Sequence, residues 1–364
     1  MPVEIQPGTN IAYLESRNRW SFYLQGVRNQ NLSKVIQNMD LNGKSILVTG
    51  GTGSFGRRCC LKLAHDYDLE RLIIFSRDEE KQFEMMTRFN GSNLSYVIGD
   101  VRDRRRLREA AEGVHVIIHA AALKQVPQAE YNPYEYVKTN IMGTQNVIEV
   151  ACETGVERVI TTSTDKAVNP LNHYGATKLC ADKLFIAANY SRSKGRIKFA
   201  CVRMGNLIGS RGSVIPIIRK MSQSGKVTVT DSRMTRFWLT LDHAVDFIIA
   251  RVQDMQGGEV FVPLTPTMKL TDMVEAVAPG CKVEVSGIRP GEKIDEILIS
   301  KHEARQTVRF EDYFGVLPDY ANVTEYAAST GSTPVEEDFE YSSTDSSLEL
   351  SIEQMRRILE KEGI

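Results

Sequence analysis

The 364-residue sequence predicts an α/β protein: a doubly wound parallel sheet with a smaller C-terminal substrate-binding region. Three observations predict it. Short apolar runs alternate with helix-length segments from residue 43 to about 205. A turn with glycines at 50, 53 and 56 joins the first such run to the first helix. The chemically distinctive residues fall just after strand ends, where open parallel sheets hold their ligands.

Ser45-Ile-Leu-Val-Thr49 reads as a buried parallel strand, apolar and partly β-branched, ending at glycine. Gly50-Gly-Thr52-Gly53-Ser54-Phe55-Gly56 then leads into the helix-like Arg57–Ala64. Glycines at that spacing permit a tight turn, close approach of backbone to a pyrophosphate, and close helix–strand packing. The phosphates would sit on the helix N-terminus, so the turn predicts a Rossmann-type dinucleotide site. Further strands are expected at 71–76, 94–99, 114–119, 158–163 and 198–203, with helices at 54–65, 79–89, 103–111, 134–154 and 174–192. Beyond residue 205 the elements shorten: helix 213–224, strand 227–230, helix 242–253, strand 259–262 and helix 270–278. The Ser/Thr/Asp/Glu-rich stretch 319–348 reads as loosely structured. A last helix over 351–361 opens on a capping box, Ser351-x-x-Gln354. The expected organisation is an N-terminal extension (1–42), a dinucleotide-binding domain (43–205, with 237–263 returning to it), and a substrate region (206–236 and 264–364). The extension carries Trp20, Phe22 and Tyr23, expected to pack on the protein's own surface or on a neighbouring subunit.

Composition narrows the class. With 42% hydrophobic residues, 25% charged residues and a net charge of −1, the chain reads as an ordinary globular protein without nucleic acid as its main partner. No apolar run approaches the ~18 residues of a membrane span, and the start of the chain lacks the regions of a signal peptide. Six cysteines without a CxxC pair suggest reduced thiols and a cytoplasmic location. Six scattered histidines suggest no metal site.

The second strand ends in Ser76-Arg77, with Lys81 one turn on. Arginine there suits a 2′-phosphate, where NAD sites place an acid, so the sequence favours NADP. Asp78 and Glu79 leave a carboxylate in the same turn within reach of the ribose. Asp100-Val101, after the third strand, is placed at the adenine, and Ala120-Ala121 lies at the end of the fourth. Tyr174 and Lys178 stand four residues apart, on one helix face. A cation beside a phenol favours the phenolate, so Lys178 is expected to lower the pKa of Tyr174. Such a pair takes a proton from a sugar hydroxyl while a nicotinamide takes the hydride. Thr164-Asp165-Lys166 upstream adds an acid and a base that a simple dehydrogenase does not need.

Together these motifs resemble an extended short-chain dehydrogenase/reductase and, more narrowly, the inverting UDP-N-acetylglucosamine 4,6-dehydratases, the first enzymes of pseudaminic acid synthesis. The resemblance covers about residues 43–318 and, more weakly, the tail from Tyr341. It rests on Ser76-Arg-Asp-Glu79, Ala121-Ala-Leu-Lys124, Thr164-Asp-Lys-Ala-Val-Asn-Pro170, Tyr174-Gly-Ala-Thr-Lys178, Gly205-Asn206 through Ser213, Arg233-Met-Thr-Arg236-Phe-Trp238, and Arg289-Pro-Gly-Glu292. Related dTDP-glucose dehydratases carry Asp-Glu in place of Asp165-Lys166. Sugar 4-epimerases lack the pair, and retaining relatives usually have methionine at the position of Tyr174 and carry membrane helices.

The resemblance implies that Tyr174 takes the C4 hydroxyl proton, supported by Lys178, with Thr164 hydrogen-bonded to the C4 oxygen. Lys166, its pKa lowered by desolvation, would remove the C5 proton, and Asp165, its pKa raised, would protonate the departing C6 hydroxyl. UDP-N-acetylglucosamine would thereby become UDP-2-acetamido-2,6-dideoxy-beta-L-arabino-hex-4-ulose. Lys124 is placed in the sugar pocket, and Asn206, Arg236, Arg289 and Glu292 at the diphosphate and uridine. A homo-oligomer is expected by the same resemblance. The rival readings are a nucleotide-sugar 4-epimerase or retaining dehydratase on the same fold, and a catalytically idle NADP-binding module.

Overall fold

The computed structural model describes residues 38–191 and 196–364. Trp20, Phe22 and Tyr23 lie outside the described residues.

Strand β1 (Ser45–Thr49) is buried at every position and pairs in parallel with β2 (Arg71–Ser76) on one side and β4 (Val116–His119) on the other. With β3 (Leu94–Ile98), β5 (Arg158–Thr164), β6 (Lys198–Met204) and β10 (Val260–Pro263) they form a parallel array ordered β3-β2-β1-β4-β5-β6-β10. Strand order reverses beside β1, and a crevice opens there at the carboxyl ends of the strands. Antiparallel strands β15 (Tyr313–Val316), β14 (Thr307–Arg309) and β16 (Thr333–Pro334) extend the sheet beyond β10.

Both faces are covered, which explains continuous apolar runs rather than alternation. Leu47, Ile73, Ile117 and Val159 point to one core layer, and Ile46, Val48, Ile74 and Ile118 to the other. Each such side chain, fully buried, contributes about 1.5–3 kcal/mol. Leu41 is buried in the second layer, and Met39 N–H donates to the Gln253 carbonyl at 2.9 Å, so ordered packing begins before residue 43.

The helices are α1 (Ser54–Asp66), α2 (Glu79–Arg88), α3 (Arg104–Ala110), α4 (Val126–Tyr131), α5 (Pro133–Tyr136), α6 (Gly143–Thr154) and α7 (His173–Ser191). The single helix expected over 134–154 is interrupted by a π-turn, Val137–Met142. That turn carries buried Asn140, whose amide accepts from Leu123 N–H at 2.8 Å and donates to the Leu123 carbonyl at 2.9 Å. Helical periodicity gives no sign of such an insertion.

A second core forms between α8 (Val214–Ser222), β8 (Lys226–Val229), β9 (Thr235–Thr240), α10 (Leu270–Val277) and α12 (Ile352–Lys361). Helix α9 (Leu241–Asp254) joins β9 back to the main sheet. Short strands β7 (Asn206–Ile208) and β11 (Thr267–Lys269) flank β9, while β12 (Lys282–Val285) pairs with β8. The capping box of α12 is present: Gln354 N–H donates to Ser351 Oγ at 3.2 Å and Ser351 N–H to Gln354 Oε1 at 2.8 Å.

The stretch 319–348 is not loosely structured. It holds α11 (Val323–Thr330), β16 and β17 (Tyr341–Ser342). Tyr341 packs on Phe237 and Phe314, and its hydroxyl both accepts from Thr265 N–H (2.8 Å) and donates to the Thr265 carbonyl (3.0 Å). The polar composition reflects capping by Asn322 and Asp345 rather than disorder. Among the described residues no helix is long and apolar enough to cross a membrane.

Candidate active site

The glycine turn is closed so tightly that side chains are excluded. Gly50 has φ +67°, and a Cβ there would lie 2.9 Å from Ala121 N. A Cβ on Gly56 would lie 2.3 Å from the Gly50 carbonyl oxygen. Gly53 caps α1 without a side-chain bond, leaving a helix N-terminus free of its own acceptor. Thr52 and Phe55 are buried in the turn, and Ser54 Oγ accepts from Arg211 N–H at 3.0 Å. This cradle fits a pyrophosphate.

At the end of β2, Ser76 is buried and its Oγ accepts from Gln82 Nε2 at 3.0 Å. Arg77 is half exposed, with its guanidinium 3.5 Å from Asp100. Asp78 caps α2 by accepting Lys81 N–H at 3.0 Å and also pairs with the Lys81 ammonium. The carboxylate that the sequence left open in this turn is therefore engaged locally. Val101 is buried beside it, against Gly143.

The catalytic candidates meet where β5 ends. A 3₁₀ turn, Asp165–Ala167, follows Thr164, and α7 packs directly on it. Gly175 makes this possible, since a Cβ there would lie 2.1 Å from the Lys166 carbonyl oxygen. Asn172 ties the start of α7, accepting Gly175 N–H at 2.8 Å and donating to the Gly291 carbonyl at 2.9 Å. Lys178 is buried and donates to the Thr162 carbonyl at 2.7 Å.

Two electrostatic expectations are corrected. Burial pushes the Tyr174 phenol up to about 12, and the opposing influences are Lys166 and a hydrogen bond with Thr164, not Lys178. Lys178 is itself lowered by burial against the pull of Asp182. The second correction concerns Lys166. Burial alone would lower its pKa, but Asp165 and Glu296 outweigh that and hold the ammonium above its ordinary value. Lys166 Nζ lies 2.9 Å from Asp165 Oδ1 and 3.3 Å from Glu296 Oε1. Two carboxylates flank this lysine, where the sequence reading supplied one.

The cleft above these groups encloses about 1300 Å³ and is lined by the predicted cofactor residues together with Thr164, Lys166, Tyr174 and Lys178. Asp165 lies behind that wall, fully buried, bonded to Thr164 Oγ1 (3.0 Å) and Lys166 Nζ, with Oδ2 unpartnered. Exposed Lys124, Asn206 on β7, Arg236 on β9, and Arg289 and Glu292 in the loop after β12 also line the cleft. Arg236 offers little to a ligand here. Its guanidinium donates to the Thr235 (2.6 Å), Ile294 (2.7 Å) and Lys293 (2.9 Å) carbonyls. Arg289 is exposed and pairs with Glu292 at 2.5 Å on the rim.

Sequence reasoning missed Glu296, Lys293 and Asn172. Asn172 had a usable signal, an Asn just before a helix start. Glu296 had none, because it reaches the site through the pairing of β13 (Ile297–Ile299) with β17, distant in sequence.

Residues 46–318 match the family described as polysaccharide biosynthesis protein. The chain belongs to that family. Two Campylobacter jejuni relatives, each named UDP-N-acetylglucosamine 4,6-dehydratase (inverting), are similar over most of their length. One is 50% identical over 76% of this chain and 84% of its own. The other is 46% identical over 87% of this chain and 98% of its own. The X-ray structure of Pen from Bacillus thuringiensis superposes with a TM-score of 0.82 at 35% identity, covering 89% of this chain and 99% of that one. As a member of this family, the chain has the extended short-chain dehydrogenase/reductase architecture that its motifs resembled.

Proposed function

We propose that the protein is an inverting UDP-N-acetylglucosamine 4,6-dehydratase. The observation that carries this reading is the Asp165–Lys166 pair, 2.9 Å apart at the end of β5, with Lys166 and Tyr174 on one wall of the same cleft. A 4-epimerase or plain dehydrogenase has no step that uses such a pair. The names of the two Campylobacter relatives agree with it.

A bound nicotinamide would accept the C4 hydrogen and later return it to C6. The remaining work falls to the chain. Tyr174 takes the C4 hydroxyl proton, with Thr164 hydrogen-bonded at the same oxygen. The C4 ketone then acidifies C5. Lys166 must shed a proton before it can act there, and Asp165 stands at hydrogen-bond distance to receive it. That one transfer arms both groups: Lys166 becomes a neutral base for C5, and Asp165 an acid for the C6 hydroxyl. A sugar that covers the pair and expels water favours the neutral form, because burial penalises charge. Loss of the C5 proton to Lys166 and of the C6 hydroxyl, which takes a proton from Asp165 relayed through the Thr164 hydroxyl 3.0 Å from it on the cleft wall, eliminates one water and restores the original charges. Reprotonation of C5 on the opposite face gives the inverted product.

We further propose NADP as the cofactor, because Arg77 is available at the ribose end while Asp78 is engaged as a helix cap. Lys124, Asn206 and Arg289 are proposed to hold the nucleotide sugar. We place the product in pseudaminic acid synthesis and the enzyme in the cytoplasm as a homo-oligomer. The six free cysteines agree with a reducing compartment, and exposed Phe83, Met86 and Ile98 near the β3 edge agree with self-association. Incubation with UDP-N-acetylglucosamine should yield a product lighter by one water. A product of unchanged mass and altered C4 configuration would instead make the protein an epimerase.

A further inference from the structure

Glu296 belongs to none of the motifs that point to the chemistry, yet it lines the cleft and touches the lysine at its centre. It is buried to 2% exposure. Its backbone is clamped just beyond β17: Glu296 N–H donates to Ser343 Oγ at 2.9 Å, and Ser343 N–H to the Glu296 carbonyl at 2.8 Å. The side chain is thus delivered into the site by structure that has no other business there. Oε1 lies 3.3 Å from Lys166 Nζ and 3.9 Å from Arg236 Nε, while Oε2 lies 3.9 Å from Lys293 Nζ and has no hydrogen-bond partner.

Burying a carboxylate is costly unless it is paired, and removing one partner of such a group costs more than the pair contributes. Here the cations around it are held by other bonds. Arg236 is fixed on backbone carbonyls, and Lys293 donates to the Val168 carbonyl at 2.5 Å. Lys166 is the nearest of these partners, at 3.3 Å. Its other neighbour is Asp165, so the ammonium sits between two acids, one behind the wall and one on it.

We propose that Glu296 is a positioning residue for the dehydration step: it holds the Lys166 ammonium at the cleft wall beside the sugar and sets how readily that lysine gives up its proton to Asp165. This rests on the dehydratase reading. Without Glu296, Lys166 would have one anionic anchor, placed behind it. With Glu296, its Nζ is held toward the space the sugar fills. The charged groups facing Glu296 are Asp165 and Lys166 from the turn after β5, Arg236 from β9, and Lys293 on its own segment; Tyr174 on α7 is coupled to Lys166. Burial, and after it the like charge of Asp165, hold the Glu296 carboxyl above its usual range.

The test is the pH dependence of kcat for the holoenzyme, with transient cofactor reduction measured in parallel. Glu296→Gln removes the charge and keeps the shape. The Asp165–Lys166 pair then loses a neighbouring negative charge and binds a further proton less tightly, so the limb on which activity rises with pH should move down by about one unit or more. Cofactor reduction, which depends on Tyr174, should be unchanged. Glu296→Asp keeps the charge and shortens the reach, so its limb should stay in place while kcat falls. A Glu296→Gln enzyme with lowered kcat and an unmoved limb would make Glu296 merely structural and overturn the proposal. If Glu296→Gln does not fold, Glu296→Asp decides by itself: undiminished kcat overturns the positioning role. Failure of the wild-type enzyme to dehydrate UDP-N-acetylglucosamine would overturn the underlying reading instead.

Discussion

Tyr174 shows how one side chain is poised by neighbours from three segments. Its helix position is fixed by Asn172 and by the contact at Gly175, while its charge environment comes from Lys166 and Thr164. A phenol pushed up to about 12 is protonated in the resting enzyme, so in the proposed reaction Tyr174 must give up its own proton before it can take the one from the C4 hydroxyl. Tyr174→Phe should fold and bind cofactor but lose turnover by about 10²–10⁴-fold, the usual worth of a positioned general base. Near-normal turnover would remove Tyr174 from the chemistry. Lys166→Ala should still reduce bound cofactor when UDP-sugar is added, more slowly than the wild type because Tyr174 loses the cation that lowers its phenol, and then stall before water is lost. Full dehydration by that variant would place the C5 base elsewhere. Arg77→Ala should weaken NADP(H) binding by tenfold or more, roughly one lost charge-assisted hydrogen bond, and leave NAD(H) binding nearly unchanged. Equal losses would show that Arg77 does not read the 2′-phosphate.

At the scale of elements, β4 meets β1 and α7 through buried His119. Thr49 Oγ1 lies 2.7 Å from its Nδ1, and its ring stacks on Phe185. Burial, with help from Lys178, lowers its pKa from 6.5 to about 3. The folded state therefore keeps the ring neutral while the unfolded chain takes up a proton below pH 6.5. Stability from this group is full above pH 6.5 and falls by about 1.4 kcal/mol per pH unit toward pH 3. Unfolding of the wild type against His119→Gln, followed from pH 7 to 4, should show the wild type losing stability more steeply; parallel curves would contradict it.

The elements that carry this arrangement were legible because their signals are local. Three glycines after a buried strand, and a Tyr and Lys four apart, each need only a dozen residues to recognise. What stayed illegible depends on distant pairing. The π-turn at Asn140 answers to the Leu123 backbone, and Tyr341 stands in a polar stretch yet closes on Thr265. The opposing pKa effects on Lys166 could not be foreseen either, because the second carboxylate arrives from a segment more than a hundred residues away.

For the molecule as a whole, the parallel sheet presents the glycine turn after β1 and Thr164 and Lys166 at the end of β5 to one cleft, while β7, β8 and β9 wall its far side. In the proposed reaction this cleft joins oxidation at C4 to elimination across C5 and C6 with inversion at C5. Reaction of UDP-N-acetylglucosamine in heavy water, followed by NMR from the first turnovers, tests it most directly. The expected product is a 6-deoxy-4-keto sugar with deuterium at C5 and the C5 configuration inverted. An early product that keeps the starting C5 configuration would contradict it.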